Sequence, residues 1–266
     1  MAAEKPSHLE PSKLGTREYW DALYTTEITN HASNPSDEGT VWFDDSDAEN
    51  KILEFLTQDL PSIVADSSSS LPPRKEETSI LDLGSGNGSL LFLLRSEGGF
   101  TGPLLGVDYS SRSVELSKQI ASARQESDEL DTANLEFKEW DVLNGDLSVV
   151  SREEGYDLVL DKGTFDAVSL SDELDSRGRR INEGYGERVL RLLKLGGHFL
   201  VTSCNWTEVE LQKWFEGTEA VGRGGGGGEG NEKRLKMVGR VEYPSFSFGG
   251  VKGQAISTLC FEKVIV

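Results

Sequence analysis

Residues 79–91 read Ser-Ile-Leu-Asp-Leu-Gly-Ser-Gly-Asn-Gly-Ser-Leu-Leu, and their order decides the fold. Ile80, Leu81 and Leu83 form the short apolar run of a strand buried on both faces, and apolar character resumes at Leu90 on a following helix. Gly84, Gly86 and Gly88 stand between them. Glycine admits positive φ and carries no Cβ to keep a ligand off the main chain, while a helix N-terminus leaves N–H groups free to point at that ligand. The spacing is not that of a dinucleotide fingerprint, because the third glycine arrives one residue early and Ser89 stands where that fingerprint wants Gly. A P-loop is excluded too, since no Gly-Lys-Ser/Thr follows.

Outward from this stretch the pattern alternates. Strands are expected at 79–83, 104–108, 135–140, 156–161 and 198–202, helices at 112–124, 187–193 and 207–215, and two last strands near 239–248 and 256–266. Strands alternating with helices predict an α/β fold with a doubly wound, mostly parallel sheet. Ahead of it, Tyr19, Trp20, Leu23 and Tyr24 mark one helix, and Ile52, Leu53, Phe55, Leu56 and Leu60 mark another capped near Ser46. These two helices make an N-terminal cap of about 14–65 on a single domain spanning 14–266. Residues 1–13, polar and holding Pro6 and Pro11, are expected to be a disordered tail, and the glycine-rich run 222–230 a flexible surface insertion.

Charge and composition narrow the partners. The 266 residues carry 27 basic and 46 acidic side chains, a formal charge of −19. Nucleic-acid binding draws on Lys and Arg, so DNA and RNA are disfavoured, and the excess acid either attracts a basic protein or serves to keep the protein soluble. No run approaches the roughly 18 apolar residues of a membrane span, and no secretory leader is visible, so a cytoplasmic protein without membrane contact is expected. Cys204 and Cys260 read as buried reduced thiols, and with His8, His31 and His198 scattered no metal site is expected.

Asp82-x-Gly84-x-Gly86-x-Gly88 resembles the first motif of the seven-stranded S-adenosylmethionine methyltransferases, the class I, Rossmann-like group. That resemblance implies a seven-stranded sheet with an antiparallel last strand and S-adenosyl-L-methionine as cofactor. Asp82, Gly84, Ser85, Gly86 and Gly88 then hold the methionine end, whose ammonium suits an acid. Asp108, about 20 residues past Gly88 at a strand end, stands where doubly wound folds place an acid against a ribose diol, with Tyr109 beside it. Asp141 with the Val142 backbone looks like the adenine clamp of the group.

The segment Asp161-Lys162-Gly163-Thr164-Phe165-Asp166-Ala167 lacks the Asn/Asp-Pro-Pro-aromatic sequence of enzymes that methylate planar nitrogens. It resembles protein lysine methyltransferases instead. With Leu14-Gly15-Thr16-Arg17-Glu18-Tyr19-Trp20-Asp21 and Val41-Trp42-Phe43, the likeness narrows over residues 14–214 to the eukaryotic enzymes that methylate a lysine of translation elongation factor 1-alpha. On this reading the enzyme is a monomer; Asp161 either orients the amine and accepts its proton through water or braces the Gly163-Thr164 turn, and Trp42, Phe43 and Phe165 either wall the lysine stem or serve core packing. Keeping a lysine neutral at pH 7 costs about 4.6 kcal/mol, so the site must give that proton somewhere to go. A small-molecule methyltransferase and a non-catalytic S-adenosylmethionine-binding protein are the alternatives.

Overall fold

The computed structural model describes residues 5–67, 74–218, 232–244, 246–248 and 251–266. Seven strands form one sheet: β1 Ile80–Leu83, β2 Leu104–Asp108, β3 Leu135–Glu139, β4 Tyr156–Lys162, β5 Leu193–Ser203, β6 Lys233–Val241 and β7 Ser257–Ile265. Their spatial order is β3-β2-β1-β4-β5-β7-β6, and β7 runs antiparallel to both of its neighbours. The other pairings are parallel, with Leu81 opposite Leu105 and Val159. A short ribbon, Phe246–Phe248 with Val251–Gly253, lies between β6 and β7 in sequence. This is the seven-stranded α/β architecture expected from the sequence.

Eight α-helices accompany the described sheet: α1 Arg17–Ser33, α2 Ala48–Glu54, α3 Leu60–Ser67, α4 Ser89–Ser96, α5 Ser111–Glu126, α6 Thr164–Ser169, α7 Tyr185–Leu192 and α8 Glu208–Phe215. A π-helical turn, Phe55–Asp59, joins α2 to α3. Side chains alternate across a strand, and the alternation splits the core in two. Ile80, Leu104, Leu158, Leu160 and Leu200 pack with Ile52, Phe55, Leu90 and Ile120 on one side. Leu81, Leu83, Val107, Val159 and Phe199 pack with Phe165, Tyr185, Leu211 and Trp214 on the other. Burial on both faces explains why the central strands read as unbroken apolar runs.

Three local readings change. The cap helix starts at Ala48 behind Asp47, one residue from the expected cap at Ser46; Asp44–Ser46 itself is a 3-10 turn, flanked by Phe43 and Asp47 in the left-handed region at φ 66° and 54°. The β4–β5 ladder continues past an irregularity to Leu193, so the strand expected at 198–202 runs over Leu193–Ser203. The sixth strand occupies Lys233–Val241, earlier than 239–248. Residues 5–13, expected to be disordered, lie along the body: the Ser12 N–H donates to the Leu170 carbonyl at 3.0 Å, Leu9 packs on the second apolar cluster, and His8 stands 3.3 Å from Glu183. A polar average hides such isolated anchors. The glycine-rich run 222–230 lies outside the described residues.

Candidate functional site

A cavity of about 350 Å³ opens where β1, β2, β3, β4 and β5 end, under a roof from α1 and the Trp42–Phe43 segment. Parallel order makes this inevitable, since every parallel strand delivers its C-terminal residue to the same edge. The β1 loop forms the floor. Gly84 and Gly86 hold φ of 68° and 57°, and a Cβ on Gly84 would lie 2.0 Å from Thr164 Oγ1. Ser85 turns a buried hydroxyl into this loop without a hydrogen-bond partner among the described residues. Gly88 does not line the cavity. It precedes α4 at φ 87°, and a Cβ there would meet the Phe137 and Phe92 rings within 3 Å, so its smallness serves helix-on-sheet packing.

Asp82 ends just short of the floor, 3% exposed and on the cavity wall. Burial pushes its carboxyl up to about 8, against the pull of the nearby Lys162 ammonium. On the β2 side, Asp108 accepts from the Ser110 N–H at 2.9 Å and from the Gly86 N–H at 3.2 Å, so one carboxylate ties the floor to the start of α5. Burial raises its pKa while these donors lower it. The Tyr109 ring lines the same end with the Arg17 guanidinium 5.4 Å from its centroid. Beyond β3, Asp141 accepts from the Leu143 and Asn144 N–H groups at 2.7 and 3.2 Å, which curls that loop so that Val142 and Leu143 face the cavity. Asp82, Gly84, Ser85, Gly86, Asp108, Tyr109, Asp141 and Val142 thus line one cavity.

The roof is aromatic. Trp42 meets Trp20 edge to face at 5.2 Å, and both line the cavity with Tyr24 and Phe43. Lys162 holds the roof down: its ammonium donates to the Trp42 carbonyl at 3.0 Å and pairs with Glu49 at 3.3 Å.

The end of β4 departs from expectation. Asp161 is 2% exposed and does not line the cavity. Its carboxylate accepts from the Thr164 N–H at 2.8 Å, the Phe165 N–H at 3.0 Å and the Tyr185 hydroxyl. It caps α6 where Gly163, the residue before the helix, has no side chain to do so. Burial pushes Asp161 up to about 7. Phe165 is fully buried, 4.8 Å from the Phe215 ring, and walls nothing in the cavity. Asp161 and Phe165 are therefore parts of the frame, as Gly88 is.

In their place the structure brings Lys162, Thr164, Asp166, Cys204 and Asn205 to the cavity. The signal was present in Asp161-x-Gly163-Thr164, which reads as a capped helix start, so that the third helical residue, Asp166, turns back toward the loop. Cys204 is exposed at the end of β5, whereas Cys260 is buried as expected.

Residues 74–234 match the model of a family described as a methyltransferase domain. Over 255 residues the chain is 39% identical to protein-lysine N-methyltransferase EFM4 of Saccharomyces cerevisiae, covering 96% of each chain. Over 260 residues it is 38% identical to protein-lysine N-methyltransferase efm4 of Schizosaccharomyces pombe, again with 96% of each covered. It is also similar to EEF1A lysine methyltransferase 2 of Homo sapiens, 32% identical over 254 residues that cover 96% of this chain and 88% of that one.

Proposed function

The chain belongs to the methyltransferase-domain family, and from that premise we propose that it methylates a lysine ε-amine of translation elongation factor 1-alpha, acting as a cytosolic monomer. The observation that carries this reading is the likeness to protein-lysine N-methyltransferases over 96% of the chain, roof and substrate side included. Its methyl donor is S-adenosylmethionine, which supplies a methyl carbon that an amine nitrogen attacks while the carbon–sulfur electrons return to sulfur.

The cavity fits that group. The left-handed Gly84 and Gly86 set the turn of the floor, with Thr164 and Tyr24 where their Cβ atoms would stand, and the Ser85 hydroxyl there has no hydrogen-bond partner among the described residues. Asp82, a buried acid on the wall, suits the donor's ammonium. Asp108 and Tyr109 suit the ribose, and Asp141 with Val142 the adenine edge. Trp42 and Phe43 cover the amine's approach and exclude water. No helix among the described residues is long and apolar enough to cross a membrane.

Two measurements test the reading. Asp108→Ala should weaken S-adenosylhomocysteine binding in calorimetry by roughly 1.5–3 kcal/mol, the worth of hydrogen bonds to a charged acceptor; unchanged affinity in a folded variant would remove Asp108 from the site. Labelled-methyl transfer into a lysate of cells lacking the enzyme, followed by mass spectrometry, should mark elongation factor 1-alpha. Label confined to metabolites would favour a small-molecule enzyme, and binding without any transfer a regulatory protein.

A further inference from the structure

Asp166 is the third residue of α6, 5% exposed, and it lines the cavity from the β4 and β5 ends, away from Asp108 and Asp141. Its Oδ2 accepts from the Cys204 N–H at 2.8 Å and its Oδ1 from the Ser203 hydroxyl. Both donors are neutral. Lys162, the cation that shares this part of the wall, is already engaged by Glu49 and the Trp42 carbonyl. The Cys204 thiol and the Asn205 N–H also act on the carboxylate, so the groups that face it from the β5 end are neutral donors. A buried carboxylate without a cation is costly, and burial raises its proton affinity accordingly. The other acids on the wall have different settings: Asp108 and Asp141 stand at the β2 and β3 ends read above as the ribose and adenine side, Asp82 faces the floor, and Glu173 is exposed at the rim.

We infer that Asp166 is the residue that receives the target lysine, its carboxylate binding the ε-ammonium on the β4–β5 side of the cavity beside Phe43, Cys204 and Asn205. This rests on the lysine reading above and names the group that recognises the cation. A neutral side chain of the same length is refused because it brings that carboxylate no cation. Asp166 also steadies the Ser203–Cys204 turn, so charge and bracing must be separated.

Asp166→Asn separates them. Its amide oxygen keeps the Cys204 N–H, while the Ser203 hydroxyl, whose oxygen already accepts from the Asn205 and Trp206 N–H groups, loses its acceptor, a bracing loss that a urea melt reads apart from the charge. In the full-length protein, with purified elongation factor 1-alpha as substrate, D166N should hold S-adenosylhomocysteine within about twofold of the parent. Its kcat/KM should fall by roughly 10- to 100-fold, as hydrogen bonds to charged groups imply, mainly through KM. A second measurement needs no enzyme variant: substrate whose target lysine is replaced by methionine should bind the parent at least tenfold more weakly, and D166N should no longer tell the two substrates apart. Parent-like kcat/KM in D166N, or equal binding of lysine and methionine substrates by the parent, overturns the assignment. If the parent places no methyl on any lysine, the lysine reading itself falls, and this assignment with it; if it does and D166N matches it, only the assignment falls.

Discussion

Asp82 on β1 and Asp161 on β4 occupy neighbouring strand ends, and burial pushes their carboxyls to about 8 and about 7. Their surroundings differ in kind. Three donors surround Asp161, whereas Asp82 stands on the cavity wall with the Lys162 ammonium as its main favourable influence. For Asp82 the folded pKa lies above the unfolded value of about 3.9, so the native state holds an extra proton between the two. Its contribution to stability is full below about pH 4 and is lost as pH rises through about 8. Asp82→Asn removes that loss. In melts without cofactor, the variant's melting temperature should gain on the parent's between pH 5 and pH 9; a difference independent of pH would contradict the assignment. Asp161→Ala should act on the frame: it strands the Tyr185 hydroxyl and two backbone N–H groups, at roughly 1–3 kcal/mol for each group left unsatisfied. Urea melts should show that loss, and activity per folded molecule should stay within severalfold. An unchanged midpoint with abolished transfer would return Asp161 to the chemistry. At this scale the sequence told residue types but not directions. An acid after an apolar strand serves equally as catalyst or helix cap, and only the backbone turn at Gly163 decides that Asp161 points inward and Asp166 toward the cavity.

The strand, turn and helix around Gly84 were legible because each residue there answers one demand: burial on both faces, positive φ, then a free helix end. The turn also has a tertiary partner that no local pattern reveals. Thr164 Oγ1 donates to the Leu83 carbonyl at 2.7 Å and fills the space a Gly84 side chain would need. Gly84→Ala should therefore cost about 1–2 kcal/mol for the left-handed backbone alone, and more for displacing Thr164. Melting temperature and S-adenosylhomocysteine affinity should fall together; a variant with parent-like values in both would mean that the floor and α6 are not coupled. The roof was harder to read. Phe43 and Asp47 are non-glycine residues in the left-handed region, which no turn signal announces, and the Lys162 contact that fixes them spans 120 positions in the chain. Residues 5–13 escaped for a similar reason, since Leu9 and His8 are single anchors in a polar stretch.

Over the whole molecule, the order β3-β2-β1-β4-β5 gathers five strand ends on one edge and separates two territories along it. The β2 and β3 ends present Asp108, Tyr109 and Asp141, and the β4 and β5 ends present Lys162, Thr164, Asp166 and Cys204. That division follows from periodicity and handed crossovers, which is why the fold and the cofactor half could be read from the chain alone. The substrate half depends on loop directions and on the roof. The formal charge of −19 favours a cationic partner, and the buried Asp166, faced on the substrate side by neutral donors, gives that preference a local form. The most direct measurement incubates the purified protein with S-adenosylmethionine and unmodified elongation factor 1-alpha and follows intact and fragment masses. The account predicts mass increments of whole methyl groups on a lysine ε-nitrogen, absent when that lysine is replaced by arginine. Cofactor binding by a folded protein with no methyl on any lysine of that substrate would contradict it.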